Sequence, residues 1–380
     1  MKRPKVLVFV DWYLPGYKAG GPVRSVANIV DHLRDRLDIH IVTTDTDYTG
    51  TTPYPDIVPD TWTVLPGGEK VWYASRKGID RTRWQALLSQ EGWDTVYING
   101  LYSRWFSIEP LRLSRSLGLR RVVAVRGMLA SGAMRHGRWK KRAFLALCRL
   151  TGAFSGVRFQ ATNAEEAADI RKWIAADAEV RVVPNLPRVL DRTDPPRRSK
   201  MPGVLELISV ARIAVEKNTL FALETLRHVR GKVTFHLYGP VYDEAYWARC
   251  QEVLQQLPDE VQVLHHGPVP TDRVAALLSI HHALLMPSVG ENFGHTMLEG
   301  LSHGLPLVIS DRTPWRGLQE AGAGWDLPLD RPKAFTAAIQ ALVDMGQEDY
   351  DRLSAGAFAL GARTLNDPKP VEQTFDLLAR

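Results

Sequence analysis

Glu291 and Glu299 have seven residues between them in a stretch, 287–306, that also carries Gly290, Gly294 and a Gly304-Leu305-Pro306 exit. A carboxylate accepts two hydrogen bonds from adjacent hydroxyls, which is what a ribose or a pyranose presents. The pattern around the two glutamates reads as a loop feeding a short helix that stops at Gly304, with Pro306 barring its continuation. First-turn amides lack intrahelical partners and carry partial positive charge, so the backbone from Asn292 through Phe293 and Gly294 to His295 is expected to form an anion site. Glycines at 290 and 294 let that backbone approach a ligand closely. Either glutamate alone reads equally well as an ordinary helix-start acid. The pair, framed by three glycines, points to a phosphate-bearing ligand with hydroxyls.

A second pair lies upstream. Arg212 and Lys217 stand five residues apart, after the apolar run 205–210 and before a helical pattern marked by Leu220, Leu223 and Leu226. Cations delivered at a strand end can clamp a diphosphate and offset the negative charge that develops as a nucleotide leaves. Alone they would be surface charges; in the same half of the chain as the glutamates they read as function. Gly239-Pro240 and Gly267, the latter in His265-His266-Gly267-Pro268, end two further strands. Near the N-terminus the strand 5–10 leads to Gly20-Gly21-Pro22, which opens a helix with Val23, Val26, Ala27, Val30 and Leu33 at helical spacing. That is the first unit of a doubly wound sheet. Arg24 in this turn reads either as an extra donor or as a solvated helix position.

The elements that position these residues alternate. Strands at 39–42, 95–99 and 121–125 in the first half, and at 205–210, 233–238, 261–264, 283–286 and 307–310 in the second, are separated by helical stretches. This predicts an α/β fold with parallel sheets covered on both faces. Open sheets of this kind bind ligands beyond the carboxyl ends of their strands, so Asn99, Tyr102 and Arg104 after one strand and Arg126 after the next are expected to line a crevice. Asp45 and Asp47 form a D-x-D, which reads either as a pair of metal-binding oxygens or as ordinary turn chemistry.

A chain of 380 residues suits two domains of about 100–200 residues each. The expected boundaries are 1–185, a Pro/Arg-rich linker at 186–203, a second domain at 204–365, and a closing segment, 366–380, that packs back on the first. The apolar run after Lys5 is five residues, too short for a leader or a membrane span, and Cys148 and Cys250 have no metal or disulfide spacing. Both observations point to the cytoplasm. The net charge of +6 is uneven, because 110–164 holds twelve Arg and Lys and no Asp or Glu. On the helix expected there, Trp139, Ala143, Leu147 and Leu150 share one face, and Arg138, Lys141, Arg142 and Arg149 another. Arg138, Trp139, Lys140, Lys141 and Arg142 are therefore candidates for docking on an anionic membrane surface. A core-facing helix with a solvated basic side has the same period. No nucleic-acid-binding motif accompanies the basic patch, so no nucleic-acid partner is expected.

With its Glu291-x7-Glu299 spacing, the stretch 287–306 resembles the E-x7-E motif of retaining glycosyltransferases of the GT-B architecture, in particular family 4 (glycosyl transferases group 1) of the polysaccharide-assembly type. Arg212 and Lys217 sit in a context similar to that family's S-x-x-R-x-x-x-x-K-N, and Thr313-Pro314-Trp315 is similar to its polysaccharide-assembly members. The resemblance implies two Rossmann-like doubly wound domains facing a cleft. It implies a nucleotide sugar, UDP favoured over GDP, held mainly by the second domain, and a lipid-linked or polysaccharide acceptor bound by the first. By resemblance Glu291 lies near the transferred hexosyl or N-acetylhexosaminyl group and Glu299 on the ribose. Arg212 and Lys217 face the diphosphate, and Gly20, Gly21, Gly239, Pro240 and Gly267 border the donor. Asn99, Tyr102, Arg104 and Arg126 fall on the acceptor side, Arg126 where many members carry a His. Neither a metal nor a further cofactor is expected, and the chain is expected in the cytoplasm, peripheral on the inner face of the cell membrane. The alternatives are a nucleotide-sugar epimerase or a sugar phosphorylase of the same fold, or a non-catalytic basic protein that binds membrane or nucleic acid.

Overall fold

The computed structural model describes residues 2–90, 92–135, 138–189 and 194–380, with backbone alone for 131, 135 and 138. The chain forms two compact units. One comprises Met1–Val189 with Pro368–Arg380, and the other Leu190–Asp367.

The first unit is built on eight strands: β1 (Lys5–Phe9), β2 (Asp38–Thr44), β3 (Trp62–Val64), β4 (Lys70–Ala74), β5 (Thr95–Asn99), β6 (Arg121–Ala124), β7 (Val157–Ala161) and β8 (Glu179–Val182). They lie in the order β3-β4-β2-β1-β5-β6-β7-β8, all pairs parallel except β3 against β4. Val6, Leu7, Val8 and Phe9 of β1 are all buried, as a central parallel strand covered on both faces requires. Burying each such side chain contributes about 1.5–3 kcal/mol. Helix Gly21–Leu33 covers one face and turns Val23, Val26, Ile29, Val30 and Leu33 inward, while the other face packs around Trp84, Phe106 and Phe159. The last helix, Lys369–Ala379, also belongs to this unit. Its Leu377 and Leu378 are buried, and the Leu378 carbonyl accepts from Thr95 Oγ1 at 2.7 Å and Arg120 Nη2 at 3.1 Å.

The second unit holds β9 (Val204–Val210), β10 (Lys232–Tyr238), β11 (Val261–Gly267), β12 (Ala283–Met286), β13 (Leu307–Ser310) and β14 (Gly324–Leu327). Their order is β11-β10-β9-β12-β13-β14, with every pairing parallel. Of the Pro/Arg-rich segment expected to be a linker, Leu186 packs in the core of the first unit, whereas residues 194–203 belong to this one. Arg198 is buried and donates to the carbonyls of Leu278 and His303 at 2.8 and 2.6 Å, and Lys200 Nζ is buried among the carbonyls of Met201, Val343 and Met345. Two cations out of water are tolerated there because carbonyl oxygens replace the lost hydration.

Each sheet reverses its winding once. In the first unit β1 has β2 on one side and β5 on the other, and in the second β9 has β10 and β12. Loops leaving the carboxyl ends of such neighbours diverge and open a crevice, the usual place for a ligand in doubly wound folds.

Candidate active site

In the second unit the loop after β9 carries Arg212 and Lys217, and the loop after β12 carries Glu291, so all three stand at the reversal. Lys217 Nζ lies 2.5 Å from Glu291 Oε1, and Ser288 Oγ donates to the same oxygen at 2.9 Å. Two further bonds fasten the loops together. Val289 N–H donates to the Glu216 carbonyl at 3.0 Å, and Asn218 Nδ2 to the Pro287 carbonyl at 3.1 Å. Asn218 holds a left-handed φ of 58°, which asparagine adopts more readily than most residues. Behind Glu291, its own N–H donates to the Arg312 carbonyl at 3.2 Å, and Ser310 Oγ donates to the carbonyl of Ser288.

The helix that follows is His295–Ser302, with Gly294 as its N-cap at φ 76°. It therefore starts later than the sequence pattern suggested. The first-turn amides belong to His295, Thr296 and Met297, so the anion-binding end moves away from Asn292 and Phe293. Glu299 stands one turn into this helix and is 6% exposed. Gly294 is required twice over. Its φ disfavours other residues, and a Cβ there would come within 2.9 Å of Met297 Sδ and 3.0 Å of Trp315 Nε1. Trp315 Nε1 donates to the Phe293 carbonyl at 2.8 Å, so the Thr313-Pro314-Trp315 segment braces the approach to the helix. Gly290 lies outside the left-handed region, with open space where a side chain would be. At the far end Leu305 N–H bonds the Gly300 carbonyl at 2.9 Å and Gly304 N–H the Leu301 carbonyl at 2.8 Å, a Schellman stop with Gly304 at φ 63°.

Arg212 pairs with Glu216 at 2.9 Å and its guanidinium lies 5.2 Å from the centre of the Tyr242 ring. Its backbone is held by the strand ends beside it. Ala211 N–H donates to the Tyr238 carbonyl and Ile213 N–H to that of Pro240, both at 2.8 Å. A Cβ on Gly239 would sit 2.0 Å from the Ala211 oxygen. Gly239 N–H donates in turn to the Gly267 carbonyl at 2.8 Å, which joins the three strand ends into one rim.

At the reversal of the first unit, Ser103 Oγ after β5 donates to Asp11 Oδ1 after β1 at 2.6 Å. Burial raises the Asp11 carboxyl pKa, against the lowering effect of the Ser103 bond. Neither residue was singled out from the sequence. The available signal was position, since Asp11 is the first polar residue after the buried run of β1. Arg126, at φ 56°, donates through Nε to Asn99 Oδ1 at 2.6 Å, through Nη1 to Asn185 Oδ1, and through Nη2 to the Tyr97 hydroxyl at 2.5 Å. Its guanidinium thus ties three strand ends together. Tyr102 Oη lies 3.4 Å from the Met128 carbonyl, and Arg104 stacks 4.7 Å from the Trp105 ring centre. Gly20 caps helix Gly21–Leu33 at φ 67°, and Gly21 has open space beside it.

Asp47 of the D-x-D accepts from the amides of Tyr17, Lys18 and Tyr48 at 3.2, 3.3 and 2.7 Å, while Asp45 is buried with its carboxyl pKa raised by desolvation. The pair serves the loop. Among the described residues no cluster of three or more His, Cys, Asp or Glu is arranged to hold a metal, and no helix is long and apolar enough to cross a membrane.

The helix Arg138–Leu150 is oriented the opposite way from a core-facing amphipathic helix. Leu145 and Cys148 are the buried positions, with Phe144 partly buried against the core, whereas Trp139, Leu147 and Leu150 are 74%, 54% and 86% exposed. Lys141 turns inward instead, its Nζ donating to the Ala133 carbonyl at 2.5 Å and standing 5.3 Å from the Tyr102 ring centre. Lys140 and Arg142 are exposed, and the side chain of Arg138 lies outside the described residues.

Residues 20–186 match the glycosyl transferase 4-like domain and residues 205–345 the glycosyl transferases group 1 domain. WcaL of Salmonella typhimurium, provisionally named a colanic acid biosynthesis glycosyltransferase, is 27% identical over 167 residues, covering 42% of this chain and 40% of that protein. The lipopolysaccharide 1,6-galactosyltransferase of the same organism is 29% identical over 119 residues, 31% of this chain and 32% of that protein. The chain thus spans about two fifths or less of the length of these relatives. HepE of Anabaena, solved with UDP and glucose, superposes with a TM-score of 0.69 at 14% identity, covering 99% of each chain. Sucrose-phosphate synthase of Thermosynechococcus elongatus does so with a TM-score of 0.67 at 16% identity, covering 99% of this chain and 98% of that one.

Proposed function

This chain pairs a glycosyl transferase 4-like domain with a glycosyl transferases group 1 domain and belongs to the GT-B glycosyltransferases, and we propose that it moves a sugar from a nucleotide sugar to a hydroxyl of a glycan or lipid-linked acceptor, with retention of configuration. The observation that carries this reading is the convergence of Arg212, Lys217 and Glu291 at the β9/β12 reversal, beside a helix that begins at His295. The diphosphate lies against the amides of His295 to Met297, with Arg212 and Lys217 balancing its charge. Glu299 takes the ribose hydroxyls and Glu291 the hydroxyls of the transferred hexosyl or N-acetylhexosaminyl group.

As the bond from the anomeric carbon to the diphosphate breaks, the two electrons go to the leaving oxygen, and Arg212 and Lys217 lower the energy of that charge. The acceptor oxygen bonds to the same face of the carbon and its proton passes to the departing diphosphate. Lys217 and Ser288 both bond Glu291 Oε1, which suits an orienting carboxylate better than a nucleophile. On this reading the chain's own cations do the work a metal does elsewhere. The donor is a UDP-sugar in preference to a GDP-sugar, in keeping with the UDP bound to HepE. A lipid-linked acceptor places the reaction at the cytoplasmic face of a membrane.

A thermal-shift panel of UDP, GDP, ADP and their sugars tests the reading. A true ligand at 100 times its dissociation constant stabilises by about 2.7 kcal/mol. Silence across the whole panel overturns the proposal, and an inverted anomer in the NMR spectrum of the product overturns retention.

A further inference from the structure

A helix of 13 residues, Arg138–Leu150, presents an apolar stripe to solvent. At about 100° per residue, Trp139, Ala143, Ala146, Leu147 and Leu150 fall within roughly a third of its circumference. All five are exposed. Lys140 borders the stripe on one side, and Arg142 and Arg149 on the other. The inward side is filled by Lys141, Phe144, Leu145 and Cys148. Arg149 is fixed on its flank by bonds to the carbonyls of Ile174 and Lys172 at 2.7 and 3.0 Å, and Arg142 lies 5.5 Å from the Trp173 ring centre. Large apolar side chains left in water are costly unless something covers them.

We infer that this stripe docks on an anionic lipid surface, with Trp139, Leu147 and Leu150 entering the interface and Lys140, Arg142 and Arg149 meeting the headgroups along its edges. The charge around the helix selects that occupant. Residues 110–164 carry twelve Arg and Lys and no Asp or Glu. A second copy is disfavoured for the same reason, because a two-fold contact through this helix would set each basic flank against its own like. A lipid interface accepts an apolar stripe with cations beside it, and its negative potential rewards every one of them. The inference stands on exposure and charge and is independent of the transferase reading.

Flotation of the full chain with vesicles of 70% phosphatidylcholine and 30% phosphatidylglycerol tests it, with pure phosphatidylcholine as control. Wild type is expected to float with the anionic vesicles and to bind the neutral ones several-fold less. Leu147→Ser with Leu150→Ser should cut binding at least about tenfold, since each leucine removes more than one buried methylene from the lipid. Lys140→Gln and Arg142→Gln should each cost roughly fivefold and lower the salt sensitivity, by about one elementary charge at the surface. Lys141→Gln, whose side chain faces inward, should float like wild type if it retains its melting temperature. All four altered outward positions are exposed, so unchanged thermal melting verifies their fold. Equal flotation of the leucine pair and wild type overturns the inference. So does a wild type that ignores the anionic vesicles, or a leucine pair whose only change is a smaller oligomer in size-exclusion chromatography.

Discussion

Lys217 and Glu291, 74 residues apart in sequence, meet as an ion pair of 2.5 Å with side chains only 18% and 12% exposed. Each is the other's nearest counter-charge. Removing Lys217 leaves the largely buried Glu291 with the Ser288 hydroxyl but without its counter-charge. Lys217→Ala should therefore destabilise the fold by about 1–3 kcal/mol and lower turnover more than it weakens nucleotide binding. Lys217→Met combined with Glu291→Gln should restore part of that stability without restoring activity. A double-mutant cycle in urea reads the coupling, and additive stabilities would mean that the contact carries no energy.

Glu299 projects from the first turns of helix His295–Ser302 and is 6% exposed. If it holds ribose hydroxyls, Glu299→Ala forfeits charged hydrogen bonds of roughly 1.5–3 kcal/mol. Nucleotide affinity measured by calorimetry should fall about ten- to a hundredfold. An unchanged dissociation constant would remove Glu299 from the donor site.

Gly239 has no room for a side chain, because its Cβ would press on the Ala211 oxygen at 2.0 Å and the Arg212 nitrogen at 2.9 Å. Gly239→Ala should cost about 2–4 kcal/mol of stability and shift Arg212 out of place. Gly267→Ala meets nothing within 4 Å and bears only the strain of φ 73°, so its cost should be nearer 1 kcal/mol. Equal losses of melting temperature in the two variants would refute the steric account.

His281 is 3% exposed, and burial, reinforced by His236 and His282, holds its pKa near 4 rather than 6.5, against a bond to the Leu277 carbonyl. A depressed histidine stays neutral in the fold while the unfolded chain takes up a proton below pH 6.5. Its contribution is therefore complete above that pH and is lost as the solution acidifies toward pH 4, by about 3 kcal/mol in all. Urea midpoints at pH 7.5 and 4.5 should lie further apart for wild type than for His281→Gln, and an equal or larger acid loss in the variant would refute this account.

Much of this architecture was readable in the sequence because buried parallel strands are continuous apolar runs. The runs at 5–10, 95–99 and 283–286 became β1, β5 and β12 with boundaries within a residue. The antiparallel edge of β3 and β4 escaped, since Trp62-Thr63-Val64 is short and half exposed. Helical period located the helix Arg138–Leu150 but not its rotation, which depends on what Leu145 and Cys148 find to pack against. The residues of the site were legible as types, whereas their partnerships were not. Nothing in the spacing of Lys217 and Glu291 says that two loops leave adjacent strands, and nothing around Arg126 announces that Asn99, Asn185 and Tyr97 take its three nitrogens.

Because Pro368–Arg380 belongs with Met1–Val189, the second unit is an insertion into the first, and the polypeptide crosses from one to the other twice. Shortening the C-terminus by a dozen residues would strip Leu377 and Leu378 from a core whose other members were translated some 180 residues or more earlier. During synthesis that core stays incomplete until helix Lys369–Ala379 leaves the ribosome. The first unit thus closes only after the second has been translated, and a peptide spanning 368–380, added in trans, is the natural means of completing a chain cut before Pro368.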